Sequence, residues 1–301
     1  MHVQGGALAR EFSYDEAFSR NIGWVTRAEQ QALRGKCVAI AGLGGVGGVH
    51  LLTLARLGIG RFRIADFDAF DLANFNRQVG AGMSTLGQRK TDVLARMARD
   101  VNPEVEIVAY DEGVTDANRD AFLTGADIFV DGIDFFAFAA RRAVFAAAHA
   151  RGIPAVTAAP LGMGVALLNF MPRKMSFDRY FDLRDGLSDH ELAVRFLVGL
   201  SPAMLQRRYL VDRSAVNFDA QRGPSTVIAC QLCAGVAAAE TLKILLGRGR
   251  VPAAPRGLHF DAYRHRLVRT WRPGGNRHPA QRLAIQIARR QLAAMARNAR
   301  T

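Results

Sequence analysis

Five apolar residues, Cys37 to Ala41, run straight into Gly42-Leu43-Gly44-Gly45-Val46-Gly47. No other stretch restricts the fold of this chain as strongly. A short, uninterrupted apolar run has the length and composition of a buried strand. The glycines fit G-x-G-x-x-G, a tight turn that lets a phosphate meet a helix N-terminus. Val49, Leu52, Leu54 and Leu57 follow at helical spacing up to Gly58. A second apolar run, Phe62 to Ala65, ends on Asp66, placed to take a ribose hydroxyl. Strand, glycine turn, helix, strand and terminal acid describe a nucleotide-binding βαβ unit. The fold expected is α/β: a Rossmann-like, doubly wound, mostly parallel sheet.

The next residues narrow the ligand. Asn74, Arg77, Gln78 and Lys90 follow Asp66 closely. A dinucleotide site needs room for a second nucleotide and does not usually place two cations and two amides here. A triphosphate attacked at its α-phosphorus does need them, because fixed cations are the main protein contribution to such transfers. A nicotinamide oxidoreductase is the reading left if these residues mislead.

Taken together, the glycine turn, DFDAFDLANFNRQ over Asp66–Gln78, GQRK ending at Lys90 and DGID ending at Asp134 resemble the ubiquitin-activating-enzyme superfamily, in particular its bacterial ThiF-type adenylyltransferases. The resemblance is strongest from Arg20 to about Ala159 and extends more weakly to roughly Leu246. It implies that Gly42, Gly44, Gly45 and Gly47 cradle ATP, that Asp66 holds the ribose, and that Asn74, Arg77 and Lys90 surround the phosphates. Gln78 and Asp68 belong to the same nucleotide-binding set, with Asp134 as the magnesium ligand. It further implies a homodimer in which Arg20 reaches the partner's site; Asn21 stands where a glutamine is more usual. The implied activity is ATP-dependent activation of a carboxylate as an acyl-adenylate with loss of pyrophosphate. The C-terminal glycine of a small sulfur-carrier or ubiquitin-like protein is the expected substrate. A carboxylate on modified tRNA, as for the related threonylcarbamoyladenosine dehydratases, is the alternative, and a nucleotide-binding scaffold without activity is a third reading. Phe135, where Asn or Ser is common, and Ala139, where Arg is common, depart from the pattern.

The chain around these motifs reads as follows. Residues 1–36 form an N-terminal helical segment, with Phe18, Ile22, Trp24 and Val25 packing on the sheet. The adenylation domain spans 37–272 and a basic helical tail 273–301. Asp68 helps place a metal or Arg77, or merely shapes a turn. Lys90 to Arg99 is a helix, Val105 to Ala109 a strand, and Asp127 to Asp131 a buried strand presenting Asp131 and Asp134 to magnesium. Asp134 otherwise caps a helix over Phe135–Ala150. Pro154–Ala159, Gly164–Phe170, Leu258–Asp261 and Leu267–Trp271 are further strands, the last of them antiparallel. Arg173 to Pro202 loosens into charged and aromatic residues and is a candidate substrate-facing loop. It holds no cysteine, whereas thioester-forming members of the superfamily that the chain resembles carry a nucleophilic one there, so the resemblance argues against a thioester step.

Three cysteines exclude a disulfide framework and suit a reducing cytoplasm. Residues 1–36 do not read as a signal peptide. Cys230-Gln231-Leu232-Cys233 has no second pair, so no zinc site is expected. Redox chemistry at these thiols competes with simple packing in an apolar helix over Thr226–Leu246. Gln231, Glu240 and Lys243 interrupt that helix, so no membrane span is expected. Of the net charge of +13, all but one unit falls from Arg248 to the end, where thirteen arginines face the single acid Asp261. In the tail, Leu283, Ile287, Leu292 and Met295 would share an apolar stripe beside Arg282, Arg289, Arg290 and Arg297. Either the stripe packs on its own domain or the tail recruits an anionic partner, RNA or an acidic carrier protein.

Overall fold

The computed structural model describes residues 11–298 except 213, 217–219 and 222, with side chains to residue 291. Eight strands form one sheet: β1 Cys37–Ala41, β2 Arg61–Ala65, β3 Glu106–Tyr110, β4 Ile128–Asp131, β5 Ala155–Leu161, β6 Gly164–Phe170, β7 Arg256–Asp261 and β8 Arg266–Trp271. Their order is β3-β2-β1-β4-β5-β6-β7-β8. The first five in that order run parallel, and β6, β7 and β8 are each antiparallel to the preceding strand. The sheet is thus doubly wound with antiparallel C-terminal strands, as the sequence implies.

Ten helices flank it among the described residues: α1 Tyr14–Ala17, α2 Arg27–Arg34, α3 Gly47–Arg56, α4 Lys90–Val101, α5 Arg119–Leu123, α6 Phe138–Ala150, α7 Phe177–Phe181, α8 Asp189–Leu200, α9 Val227–Leu245 and α10 Pro279–Asn298. Successive residues of a strand point to opposite faces, so β1 feeds two cores. Val38 and Ile40 pack with Leu51, Leu54, Leu94 and Ala237 beneath α3, α4 and α9. Ala39 and Ala41 pack with Phe129, Phe145, Phe181 and Phe196 beneath α6, α7 and α8. Strands covered on both faces read as unbroken apolar runs, which is why β1 and β4 lack alternation.

α9 is the one described helix long and apolar enough to cross a membrane. Here it lies on β5 and β6 against α3, with Cys233, Ala237 and Ala238 buried. Ala and Gly along its length let it approach the sheet closely.

Three expectations need correction. Arg173–Pro202 is not an open loop. Phe177, Tyr180 and Phe181, at i, i+3 and i+4, are the buried stripe of α7, and Phe196 of α8 closes on Phe181 at a ring separation of 4.9 Å. The charges that suggested a loop are internally matched: Asp182 binds Arg195 and Arg277, and Arg142 binds Asp178 and Asp185. Phe18 and Val25 are buried as expected, but Trp24 does not pack on the sheet; it is 85% exposed, and Tyr14 is buried beside Phe18. The stripe of α10 faces the other way. Leu283 and Ile287 are exposed, whereas Ile285, 4% exposed, and Gln281 are buried. Small Ala284 and Ala288 let α10 approach Val194 and Val198 of α8. Buried Asn276 donates to the carbonyls of Phe181 and Arg195, so polar side chains fix the face that an apolar count missed. Leu292, Met295 and Arg297 lie outside the described side chains.

Candidate nucleotide site

The site sits where α/β sheets place ligands, at the carboxyl ends of strands around a reversal of winding, here between β1 and β4. Gly42 has φ +81° and a Cβ there would lie 2.2 Å from the Gly132 carbonyl oxygen at the end of β4. A Cβ on Gly47 would lie 1.7 Å from the Gly42 oxygen. Only glycine lets the turn fold back on itself this tightly. Beyond it, Gly44 faces Gln78, and Gly45 faces the Arg77 stem and the Cys230 thiol.

Asp66 holds the turn from the neighbouring strand. Its Oδ2 accepts from the Leu43 N–H at 2.6 Å and its Oδ1 from the Asp68 N–H at 2.8 Å. Burial pushes its carboxyl above the ordinary range, opposed by Lys90 and these two N–H donors. Lys90, the first residue of α4, is only 4% exposed. Its Nζ sits 2.8 Å from Asp68 Oδ2 and 4.0 Å from Asp66 Oδ1. A cation at a helix N-terminus opposes the macrodipole, so α4 itself has no use for a lysine there.

The loop between β2 and α4 supplies the amides and the arginine. Asn74 Oδ1 accepts from the Asp71 N–H and closes a reciprocal cap on the 3₁₀ turn Leu72–Asn74. Arg77 donates to the Ala73 carbonyl at 2.8 Å and to Asn76 Oδ1 at 2.9 Å. No carboxylate among the described residues pairs with it. Gln78 is buried and its Oε1 has no hydrogen-bond partner. An orphaned buried acceptor beside a glycine cradle fits a ligand that donates.

At the end of β4 the sequence reading holds only in part. Asp131 is not available to a metal. It is buried, paired with Arg141 at 3.2 Å, and accepts from Thr157 Oγ1 at 2.7 Å and the Ile133 N–H at 3.1 Å. Arg141 also donates to the carbonyls of Ile133, Asp134 and Phe135, so it shapes the whole turn after β4. The sequence reading missed Arg141. A buried acid demands a countercharge, and Arg141-Arg142 in an otherwise alanine-rich helix was the available signal. Asp134 is exposed at the turn, its Oδ1 accepting from the Phe136 N–H at 3.0 Å rather than capping α6 itself. No group of three or more His, Cys, Asp or Glu among the described residues could hold a metal. A magnesium site here would therefore be completed by phosphate oxygens and water, as that ion prefers.

Two other candidates lie apart. Arg20 is exposed on the turn Ser19–Asn21, and Asn21 donates to Gln30 Oε1 and, at 3.5 Å, to the Leu57 carbonyl. Leu57 lies at the far end of α3, by the amino ends of the strands, so one chain does not bring Arg20 to its own site. Cys230 and Cys233 are buried free thiols, pushed up by desolvation and hence poor nucleophiles.

The ThiF family profile matches residues 18–283. The tRNA threonylcarbamoyladenosine dehydratase of Bacillus subtilis (strain 168) is 37% identical over 118 residues, covering 39% of this chain and 46% of that protein. The sulfur carrier protein ThiS adenylyltransferase of Escherichia coli (strain K12) is 33% identical over 144 residues, covering 48% and 56%. The match thus spans about half the length of these curated relatives. Among solved structures, E. coli MccB with ATP superposes with a TM-score of 0.61 at 18% identity, over 80% of this chain and 65% of that one, a likeness of fold. With the glycine turn, the Asp66 anchor and a profile match across most of its length, this chain belongs to the ThiF family.

Proposed function

We propose that the chain adenylates a carboxylate with ATP and releases pyrophosphate. Lys90 carries this reading: a buried ammonium at the wrong end of a helix, between Asp66 and Asp68, beside a turn shaped for phosphate. Local folding does not call for it; an arriving polyphosphate does. An ionised carboxylate offers about four acceptor positions, so Asp66 keeps capacity for a ribose hydroxyl after binding two N–H groups. Lys90 would exchange Asp68 for phosphate oxygen. Arg77, unpaired with any described acid, would bring its planar fork to the same group, and Asn74 would orient it through its free Nδ2. The substrate carboxylate is already ionised at neutral pH and needs no general base. Its oxygen attacks the α-phosphorus, the bond to the pyrophosphate bridging oxygen breaks, and the fixed cations offset the charge that shifts. Asp134 would hold Mg²⁺, which adds Lewis-acid neutralisation of the phosphates.

The enzyme would act as a homodimer, because Arg20 lies at the opposite end of the sheet from its own site. The carboxylate would be the C-terminal glycine of a sulfur-carrier or ubiquitin-like protein, or would sit on modified tRNA. The two relatives named above support one reading each. ATP with Mg²⁺ should stabilise the chain by about 2.7 kcal/mol at a hundredfold excess over Kd, read as a rise in Tm. Stabilisation by NAD⁺ alone would contradict the proposal. Mixing Arg20→Ala with Asp134→Ala subunits should restore part of the adenylation activity, since one hybrid site has both residues. Mixed dimers that form and stay inactive would remove Arg20 from the site.

A further inference from the structure

The arginines from residue 248 onward include two contrasting sets. Arg248 pairs with Glu29, Arg277 with Asp182 and Arg289 with Glu191, so these neutralise acids of their own domain. Arg256, Arg264, Arg266, Arg269 and Arg272, all on or beside the β7–β8 hairpin, pair with no carboxylate among the described residues. The one acid of the hairpin, Asp261, is buried and accepts from Tyr209 at 2.7 Å. Arg282 and Arg290 of α10 also lack a carboxylate partner among the described residues, so the hairpin carries the larger, not the whole, uncompensated charge.

Aromatic surface lies among these cations. Trp271 is 57% exposed with the Arg256 guanidinium 5.1 Å from its ring centre, and Tyr263 at the tip is 62% exposed. In the ladder, Arg256 opposes Trp271, Leu258 opposes Arg269 and Phe260 opposes Leu267. By the period of two they share one face, the one that Leu258 and Phe260 turn toward the core under α3 and α9. That is also the nucleotide-turn side of the sheet. Register sets the height. Asp131 opposes Thr157, which continues through Leu168 and Gly257 to Thr270. Past that row β5 runs four more residues to Leu161, so the antiparallel strands rise about 13 Å above the floor of the cleft. The hairpin tip therefore stands at the same end of the sheet as the nucleotide site, four strands along from β1 and so about 20 Å to its side at ordinary strand spacing.

We infer that the β7–β8 hairpin is an RNA-binding surface, with arginines for phosphates, Trp271 as a stacking platform for an unpaired base, and Tyr263, packed on Tyr209 at a ring separation of 4.7 Å, offering its outer face at the tip. Exposed aromatics between unpaired arginines favour a nucleic acid over an acidic protein, which offers no bases to stack. The inference deepens the adenylation reading by choosing RNA as carrier of the carboxylate. Its binding test needs no turnover, so the two can fail separately.

Binding of a short fluorescein-labelled single-stranded RNA, followed by anisotropy, should weaken steeply with salt. The double variant Arg256→Ala, Arg269→Ala, which removes both cations of the Trp271 face, should lower the slope of log K against log salt by about 1.4. Trp271→Leu should weaken binding by about tenfold at any one salt concentration. Arg277→Ala and Arg289→Ala should bind RNA as the wild type does, and melting curves identify any variant that misfolds. Equal binding by wild type, the double variant and Trp271→Leu, with all three folded, would overturn the inference. So would competition by polyglutamate as strong as that by unfractionated tRNA, which would assign the surface to an acidic protein.

Discussion

The two halves of the sheet handle polar groups in opposite ways. In the parallel half, the cations Arg141 and Lys90 are buried against acids. Asp131 meets Arg141, Asp66 and Asp68 enclose Lys90, and β1 and β4 are covered on both faces. In the antiparallel half, β8 is an open edge whose arginines meet solvent. Buried matched charges set a geometry, because each group removed leaves a partner stranded in low dielectric. Exposed unmatched charges set no geometry and remain available to another molecule. The first half therefore suits the proposed role of holding a small anion in one orientation. The second is suited to a large one.

The sharpest test of this difference compares arginines. Arg141→Leu strands Asp131, which is buried, and should cost about 3–5 kcal/mol of stability. Arg269→Leu, on the exposed edge, should change stability by no more than about 0.5 kcal/mol. Urea titrations that give similar losses for both would erase the distinction between the halves.

A smaller effect comes from two histidines, one in each half. Burial holds His50 of α3 and His259 of β7 at about 4, below the ordinary value of 6.5. His50 has no hydrogen-bond partner at either ring nitrogen, while His259 Nδ1 lies 3.1 Å from Ser201 Oγ. Above pH 6.5 neither folded nor unfolded chain protonates them. As pH falls from 6.5 to 4 the unfolded chain takes up protons that the folded chain refuses, so stability declines. The loss is on the order of 3 kcal/mol per histidine by pH 4 and then levels off. Stability measured by urea should already fall between pH 6.5 and 5, and His50→Leu should reduce that slope by about half. A flat profile across this interval would contradict the burial of both rings.

How much of this was legible in the sequence depended on how local the cause was. The β1 strand, the glycine turn and Asp66 lie within thirty residues of one another, and hydrophobic period with turn chemistry fixes them. Gly164–Phe170 was read with its bounds intact because an unbroken apolar run admits little else. The errors lay where polar residues do the packing. Asn276 and Gln281 orient α10 through hydrogen bonds to α7 and α8, and an apolar stripe count looks past them. Asp182 takes a left-handed conformation and gathers Arg195 and Arg277 from distant segments, so a charged stretch that resembles a loop is interior. Arg141 was missed for the same reason, its partner lying ten residues away on another element. Pairing of this kind is set by packing, and hydrophobic period does not report it.

The central claim is that the buried Lys90 beside the glycine turn serves attack on the α-phosphorus. Its most direct test is exchange of labelled pyrophosphate into ATP, measured for the wild type and for Lys90→Ala with candidate carboxylate substrates. The wild type should exchange label only when Mg²⁺ and a carboxylate substrate are present, and Lys90→Ala should lose about 10²- to 10³-fold. Exchange by Lys90→Ala at the wild-type rate, with the variant folded, would contradict this account.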